Sequence, residues 1–322
     1  MNPRLHHLVP AFYLSGFTDS GLPNGKLFTF DYPRGRNYAT TPRKAGRERD
    51  FFRHFECEGD QFEMEKEFAT LEGTYAEALG ELLHHGRITS REQVYTVMRL
   101  ASLIQCKTKR TRMMLEMRLQ HSMRNALARG QVSEEQWNGL RDERIRAGLN
   151  ESLMPTLREA TRLVLSGDWQ PPVPRPLLVG LLGDVQEVFY KALSRRSWEL
   201  HLTVPNDTGD LITSDSPLCW GALPRVGDRW LADNINDPNV EVTFPISKAM
   251  AMVSYPEARS ANHIATREII AHINARTVFM STGSLYFSHD HFWIEQSGGR
   301  VETSHDYFTY VKFSRLQGIE QP

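Results

Sequence analysis

SREQVYTVMRLASLIQCKTKRTRMMLEMRLQ, residues 90–120, is the stretch on which the fold turns. Ser90 supplies an N-cap, a residue type whose side-chain oxygen accepts from the first free backbone N–H groups of a helix. Val94, Val97, Met98, Ala101, Ile104, Leu115 and Leu119 then recur at helical steps along one broad face. The spacing predicts a single long helix over 90–120, and so wide an apolar face needs neighbours to cover it.

Those neighbours are legible on both sides. Phe68, Leu71, Tyr75, Leu79 and Leu82 make a second helical stripe that ends near His85 and Gly86. Further helices are expected at about 133–147, 151–166 and 177–195. SGDWQPPVPRP (166–176) holds four prolines and reads as a stiff connector.

Outside this block the texture changes. In residues 1–55, LFTFDYPRG (27–35) reads as a short strand entering a turn, and NYATTP (37–42) as loop or edge strand. After Trp198 come short apolar runs between turn clusters: ELHLTV, DLIT, VEVTFPIS, AMAMVSY, TVFMST and SLYFS, with one helix near 262–275. The expected fold class is α+β: an N-terminal strand and loop segment, a helical middle over about 61–195, and mainly antiparallel C-terminal strands. One domain over 1–322 is expected, with a division into 1–170 and 177–322 as the alternative.

Lys plus Arg total 38 against 39 Asp plus Glu, so no global field attracts nucleic acid or an anionic membrane. Cys57, Cys106 and Cys219 lie far apart without a CxxC pair, which suits a reducing compartment. Residues 1–10 lack the pattern of a secretory signal, and no stretch approaches the ~20 apolar residues of a membrane span. Cytoplasmic residence without membrane association is the expectation.

Polar residues interrupt both helical stripes. At ~100° per residue, Glu72 lies ~40° from Phe68, at the edge of the buried stripe, with Glu65 one heptad earlier on the same seam. On the next helix Gln105, Thr108 and Arg112 continue the line of Val94 and Met98, within about 40° of Val94. A carboxylate left desolvated and unpaired costs several kcal/mol, so this seam is either a satisfied structural network or the wall of a wet cleft. TSDSP (213–217) places Ser214 and Asp215 where a strand breaks into a proline turn, the alternative role being to shape the loop. His289 and His291 share one face if their strand continues, a spacing compatible with metal.

HHLVPAFYLSGF (6–17) resembles the opening of the bacterial domain-of-unknown-function family numbered four-two-three-eight, whose members begin His-His-x-x-Pro-x-x-x-Leu-x-x-Phe. The matches are His6, His7, Pro10, Leu14 and Phe17. LFTFD (27–31), RDFF (49–52), EKEFATLE (65–72), LITSDSPL (211–218), FPIS (244–247) and residues 273–288 are similar to later family segments. One departure is that members carry Gln-x-x-Arg-Thr in the second helix, whereas here Gln105 is followed by Cys, Lys and Thr108, with Arg110 and Arg112 downstream. The resemblance implies no activity.

The residue types support two expectations. The first is a metal-assisted hydrolase of a phosphodiester or nucleotide, with His6, His7, Glu72 and Asp215 as catalytic groups and His6 and Asp215 as ligands of Mg, Mn or Zn. Gln105, Arg112 and Ser214 would bind a substrate that is a small nucleotide or a nucleic acid. Adjacent strand histidines face opposite ways, so one of the pair would serve. A metal-free variant would use the Arg49 and His54 spacing of RDFFRH (49–54). The second expectation is a ligand-sensing or partner-binding module without turnover, and a purely structural role for the histidines stands beside both.

Overall fold

A computed structural model describes residues 5–49, 51, 63–146, 150–151, 154–173, 175–204, 207–222, 234–259, 261–296 and 299–305. Asp50, His54 and Cys57 lie outside the described residues, as does the side chain of Glu65. The chain opens with β1 (Leu5–His7), α1 (Ala11–Ser15), β2 (Leu27–Asp31), β3 (Arg36–Thr40) and β4 (Arg47–Arg49). The helical middle comprises α2 (Glu63–His85), α3 (Arg91–Lys107), α4 (Lys109–Ala128), α5 (Glu134–Arg146), α6 (Leu157–Ser166), α7 (Arg175–Gly180) and α8 (Leu182–Ser194). Then follow β5 (Glu199–Leu202), β6 (Thr213–Ser214), β7 (Cys219–Ala222), β8 (Val240–Ser247), β9 (Met250–Ser254) and β10 (Asn262–Ile264). The last described elements are α9 (Arg267–Met280), β11 (Ser284–Phe287), β12 (Trp293–Glu295) and β13 (Val301–Thr303). The class is α+β.

The expected helix over 90–120 is two helices. Thr108 is extended, at φ −65° and ψ 149°, and caps both. Its N–H donates to the Gln105 carbonyl at 3.1 Å, and its hydroxyl accepts from the Thr111 N–H at 3.1 Å. A β-branched residue whose hydroxyl can bond nearby backbone competes with helix continuation, and here it wins. α3, packed between α2 and α8, is buried almost throughout from Val97 to Lys107, whereas α4 buries only Thr111 and Leu127.

The N-terminal stretch is also corrected: the strand stops at His7, Pro10 stands at the N-cap, and α1 turns Tyr13 and Leu14 fully inward, followed by Phe17. The Tyr13 hydroxyl donates to the Pro245 carbonyl at 2.6 Å and lies 2.8 Å from Thr213 Oγ1, while its ring stacks on Phe244. β8 is irregular at Pro245, which has no N–H for the ladder, so α1 docks where the strand bulges.

Two sheets frame the C-terminal part. One runs β10-β5-β9-β8-β7, antiparallel except for the parallel β10–β5 edge, and the other runs β3-β2-β11-β6, all antiparallel. α9 packs against both. Ile270 and Ile273 pack with Ala251 and Val253 of the first sheet. Ala275 and Val278 pack with Phe30, Leu285 and Phe287 of the second. TVFMST, expected as strand, therefore supplies the C-terminal turn of this helix and its cap. Asn274 satisfies strand backbone from within α9: Oδ1 accepts from the Ile212 N–H at 3.0 Å, and Nδ2 donates to the Asp210 and Trp293 carbonyls.

Candidate functional site

β1 pairs with β4 so that His6 opposes Glu48 and His7 opposes Arg47. The two histidines face opposite ways, as strand alternation requires. His6 is fully buried. His7 is half-buried, and Arg47 Nε donates to its Nε2 at 2.9 Å. Burial, then the cations of Arg47 and Lys107, push the His7 imidazole down to about 4.

Lys107, absent from the expected site, joins two of its members, Glu72 and His7. Its side chain is 1% exposed, forms an ion pair with Glu72 and donates to the His7 carbonyl at 3.5 Å. Arg112 forms a fork with Glu48 at 2.8 and 3.2 Å and covers the Phe51 ring. Gln105 donates to Thr111 Oγ1 at 3.1 Å, while its Oε1 is buried with no hydrogen-bond partner among the described residues.

Ser214 ends β6 of the four-stranded sheet, and Asp215 follows it in the bend toward Pro217. Asp215 accepts from the hydroxyls of Ser281 and Thr282, both at 2.8 Å, and from the Thr282 and Ser284 N–H groups at 3.1 and 3.3 Å. Ser214 Oγ accepts from the Ser216 N–H at 3.0 Å. These contacts shape the loop between α9 and β11 and the proline turn. His289 turns to Asp210 and His291 to Asp290, so they do not form a pair. Among the described residues no three His, Cys, Asp or Glu side chains are arranged to share a metal ion.

The largest convergence of ionisable groups lies elsewhere, in a cavity of about 400 Å³ between the five-stranded sheet, α9 and the β12–β13 hairpin. Strand alternation brings Glu199 and His201 of β5, Glu241 of β8 and Val253 of β9 to one sheet face, as the registers Glu199↔Val253 and Thr243↔Val253 require. α9 contributes Glu268, Ile269, His272 and Ile273, and the hairpin adds Glu295 and Val301.

His272 is the centre of the arrangement. Its Nε2 lies 2.8 Å from Glu241 Oε1 and its Nδ1 2.6 Å from Glu295 Oε2. Two carboxylate partners require an N–H on each ring nitrogen, which is the imidazolium form. Burial lowers the His272 imidazole, but the bonds to Glu241 and Glu295 outweigh it and raise it to about 9. Arg276 Nε donates to the same Glu241 oxygen at 3.2 Å. Burial alone would raise the Glu241 carboxyl, yet these cationic partners hold it below its ordinary value.

A second cluster abuts this one. His201 Nε2 and Glu199 are 3.2 Å apart, Tyr255 donates to Glu199 at 2.8 Å, and His263 lies 3.4 Å from the same carboxylate. Burial, opposed by Glu199, leaves the His201 imidazole below its ordinary value, and its Nδ1 has no partner among the described residues. Burial and the Glu199 bond push the Tyr255 phenol up to about 12. The cavity thus offers a held cation, carboxylates and a neutral imidazole beside apolar walls. The signal in the sequence was a charged residue at inward strand positions, in WELHL and VEVTF.

An α+β protein with a helix enclosed between two sheets and an acid–base cavity at its side is thereby defined. The profile of the family described as "Protein of unknown function (DUF4238)" matches residues 5–291, and the chain belongs to this family. Comparisons with curated proteins and with solved structures found no significant match.

Proposed function

We propose that this protein recognises a small molecule in the cavity beside α9 and serves as a ligand-sensing module. The observation that carries this reading is the placement of His272 between Glu241 and Glu295 in the wall of a cavity of about 400 Å³. Small-molecule sites are concave, of a few hundred Å³, largely apolar, and oriented by a few convergent polar groups. Val253, Ile269, Ile273 and Val301 supply such apolar surface here. The test is a thermal-shift screen of the full chain against chemically diverse small molecules, with Val253→Phe as a cavity-filling control. Stabilisation of the wild type that the control lacks supports the reading. No stabilisation by any compound, or equal shifts in both proteins, overturns it.

A second reading keeps a metal-assisted phosphodiester or nucleotide hydrolase at the N-terminal seam, with Mg, Mn or Zn as cofactor. Its support is the unpartnered Gln105 Oε1 on α3, while the Lys107 ammonium paired with Glu72 weighs against a metal on that carboxylate. Metal-dependent cleavage of a generic phosphodiester, lost in a folded His6→Ala variant, would support it; no cleavage with any of these metals would remove it. Cytoplasmic residence belongs to the proposal too. Its support is that Cys106 and Cys219 are buried free thiols, which burial pushes up to about 12, and that no described helix is long and apolar enough to cross a membrane.

A further inference from the structure

We propose that His201 and His263 form an acid-operated latch at the β5–β10 edge, and that proton uptake by His201 releases β10 from the five-stranded sheet. The inference goes beyond the small-molecule reading and does not depend on what the cavity beside α9 binds.

Register builds the latch. β10 is an exposed three-residue strand at the sheet edge, and its parallel pairing sets His263 opposite His201 on the face that also carries Glu199. The ring centres lie 5.3 Å apart, and both Nε2 atoms reach the same Glu199 oxygen, at 3.2 and 3.4 Å. At the two ends of the pairing, the Leu200 N–H donates to the Ala261 carbonyl at 2.9 Å and the Ala265 N–H to the Leu202 carbonyl at 2.8 Å. Ile264 and Ala265 also border a second cavity of about 360 Å³, which shares Glu268 with the first. Release of β10 therefore removes one wall of the second cavity and uncovers the His201 end of the first.

The chemistry of the His201 ring sets the direction. A carboxylate only accepts, so the His201 proton sits on Nε2 and Nδ1 is a bare acceptor. Nδ1 is buried without a partner among the described residues, so an N–H formed there has nothing to donate to while the latch is closed. Burial lowers the His201 imidazole and outweighs the opposing Glu199.

The other groups that face this ring keep their charge in mild acid. Burial raises the Glu199 carboxyl, but the Arg259 N–H, the Tyr255 hydroxyl and His201 hold it below its ordinary value. Glu241, against its burial, is held low by His272 and Arg276, and Tyr255 stays a neutral phenol. The Arg259 guanidinium turns away to the Glu257 and Ala258 carbonyls. The His263 ring, 46% exposed, is the cover: once β10 is displaced, water reaches His201 Nδ1 and solvates the new N–H. The closed edge therefore binds fewer protons than the open one. Its advantage is present above pH 6.5, the ordinary imidazole value, and is lost as pH falls below it.

Amide hydrogen exchange of the full chain between about pH 7.5 and about pH 5 tests this, with rates expressed as protection so that the intrinsic pH dependence cancels. In mild acid, protection of the Leu200 and Ala265 amides should fall by about tenfold per pH unit, the slope for one proton taken up on opening, while the β8–β9 ladder stays protected. His201→Gln keeps a donor for Glu199 without a titrating ring and should make that protection independent of pH. Ring NMR gives a second readout: His263→Ala removes the cover and should bring the His201 titration up toward its ordinary 6.5. Protection at Leu200 and Ala265 that does not change with pH overturns the latch. Acid dependence retained in His201→Gln, or shared equally by the β8–β9 ladder, overturns it too. If His201→Gln does not fold, the wild-type exchange profile and the His263→Ala titration decide alone.

Discussion

His272 and Glu241 join α9 to β8 through a hydrogen bond of 2.8 Å, and the same Glu241 oxygen accepts from Arg276 one turn further along the helix. One carboxylate therefore fixes the rotation of α9 against the five-stranded sheet, and the other nitrogen of His272 ties the helix to Glu295 of the hairpin. The wall of the cavity and the docking of its central helix are the same set of bonds, so protonation of His272 links binding to stability.

The pH dependence follows from the direction of that shift. The His272 imidazole is raised from 6.5 to about 9 in the folded chain, so its contribution is fully present below pH 6.5 and is lost as pH rises through about 9. The difference corresponds to roughly 3 kcal/mol at most. Urea midpoints measured across this range should fall on the alkaline side in the wild type. His272→Gln should be less stable at neutral pH and show a flatter alkaline limb; parallel limbs would refute the assignment.

Lys107 gives a second prediction, at the other end of the helical block. Its ammonium is buried and paired with Glu72. Removing one partner of such a pair leaves an uncompensated charge and costs about 3–5 kcal/mol. Glu72→Leu alone should approach that loss by urea denaturation. The double variant Glu72→Leu, Lys107→Met should recover most of it, because replacing both members by apolar groups of similar volume is often neutral. Equal losses in the single and double variants would contradict a buried pair.

Which parts were legible in the sequence follows from how each element is buried. α2, with one buried stripe of Phe68, Tyr75, Leu79 and Leu82, announced itself by period. α9 did so only in part: the sequence predicts a helix near 262–275 but its last turn reads as strand, because α9 touches sheets on two sides and buries Ala271, Ala275, Val278 and Met280 as well as Ile270 and Ile273. A helix buried on two sides, with polar residues such as Asn274 and Arg276 among its buried positions, has no single apolar stripe, and the β-branched Thr277 and Val278 of its last turn imitate a strand. The candidate site followed the same logic. Polar residues breaking a helical stripe drew attention to Glu72 and Gln105, whereas Glu199, His201 and Glu241 occupy alternate positions on strands and converge only through the sheet register. Lys107 was hidden because a lysine near a helix end ordinarily lies in solvent.

Asp215 supplies a prediction that bears directly on the hydrolase reading. A carboxylate used mainly as a metal ligand would be removable at little cost in stability. Here it accepts four hydrogen bonds from Ser281, Thr282 and Ser284. Asp215→Ala should therefore cost about 3 kcal/mol, the loss of several bonds to a charged acceptor. Amide hydrogen exchange should show the loss of protection concentrated in residues 281–284. An unchanged melting temperature would return Asp215 to the candidate ligands.

Thr108 decides whether residues 90–120 fold as one helix or two, and its hydroxyl is the group responsible. It donates to the Gln105 carbonyl at 2.9 Å, accepts from the Thr111 N–H and lies 3.0 Å from Thr111 Oγ1. Thr108→Ala removes this cap, and cap deletions cost about 1 kcal/mol. It also removes one of the two hydroxyls to which Gln105 Nε2 donates, so the loss should exceed that of an exposed cap. Thr108→Ser keeps the oxygen and should restore most of the stability. Alanine favours helix continuation, so the variant should also protect the amides of residues 109–111 that follow the break. Exchange at those amides no slower than in the wild type, with Ser and Ala variants equally destabilised, would show that side-chain packing and not the hydroxyl sets the break.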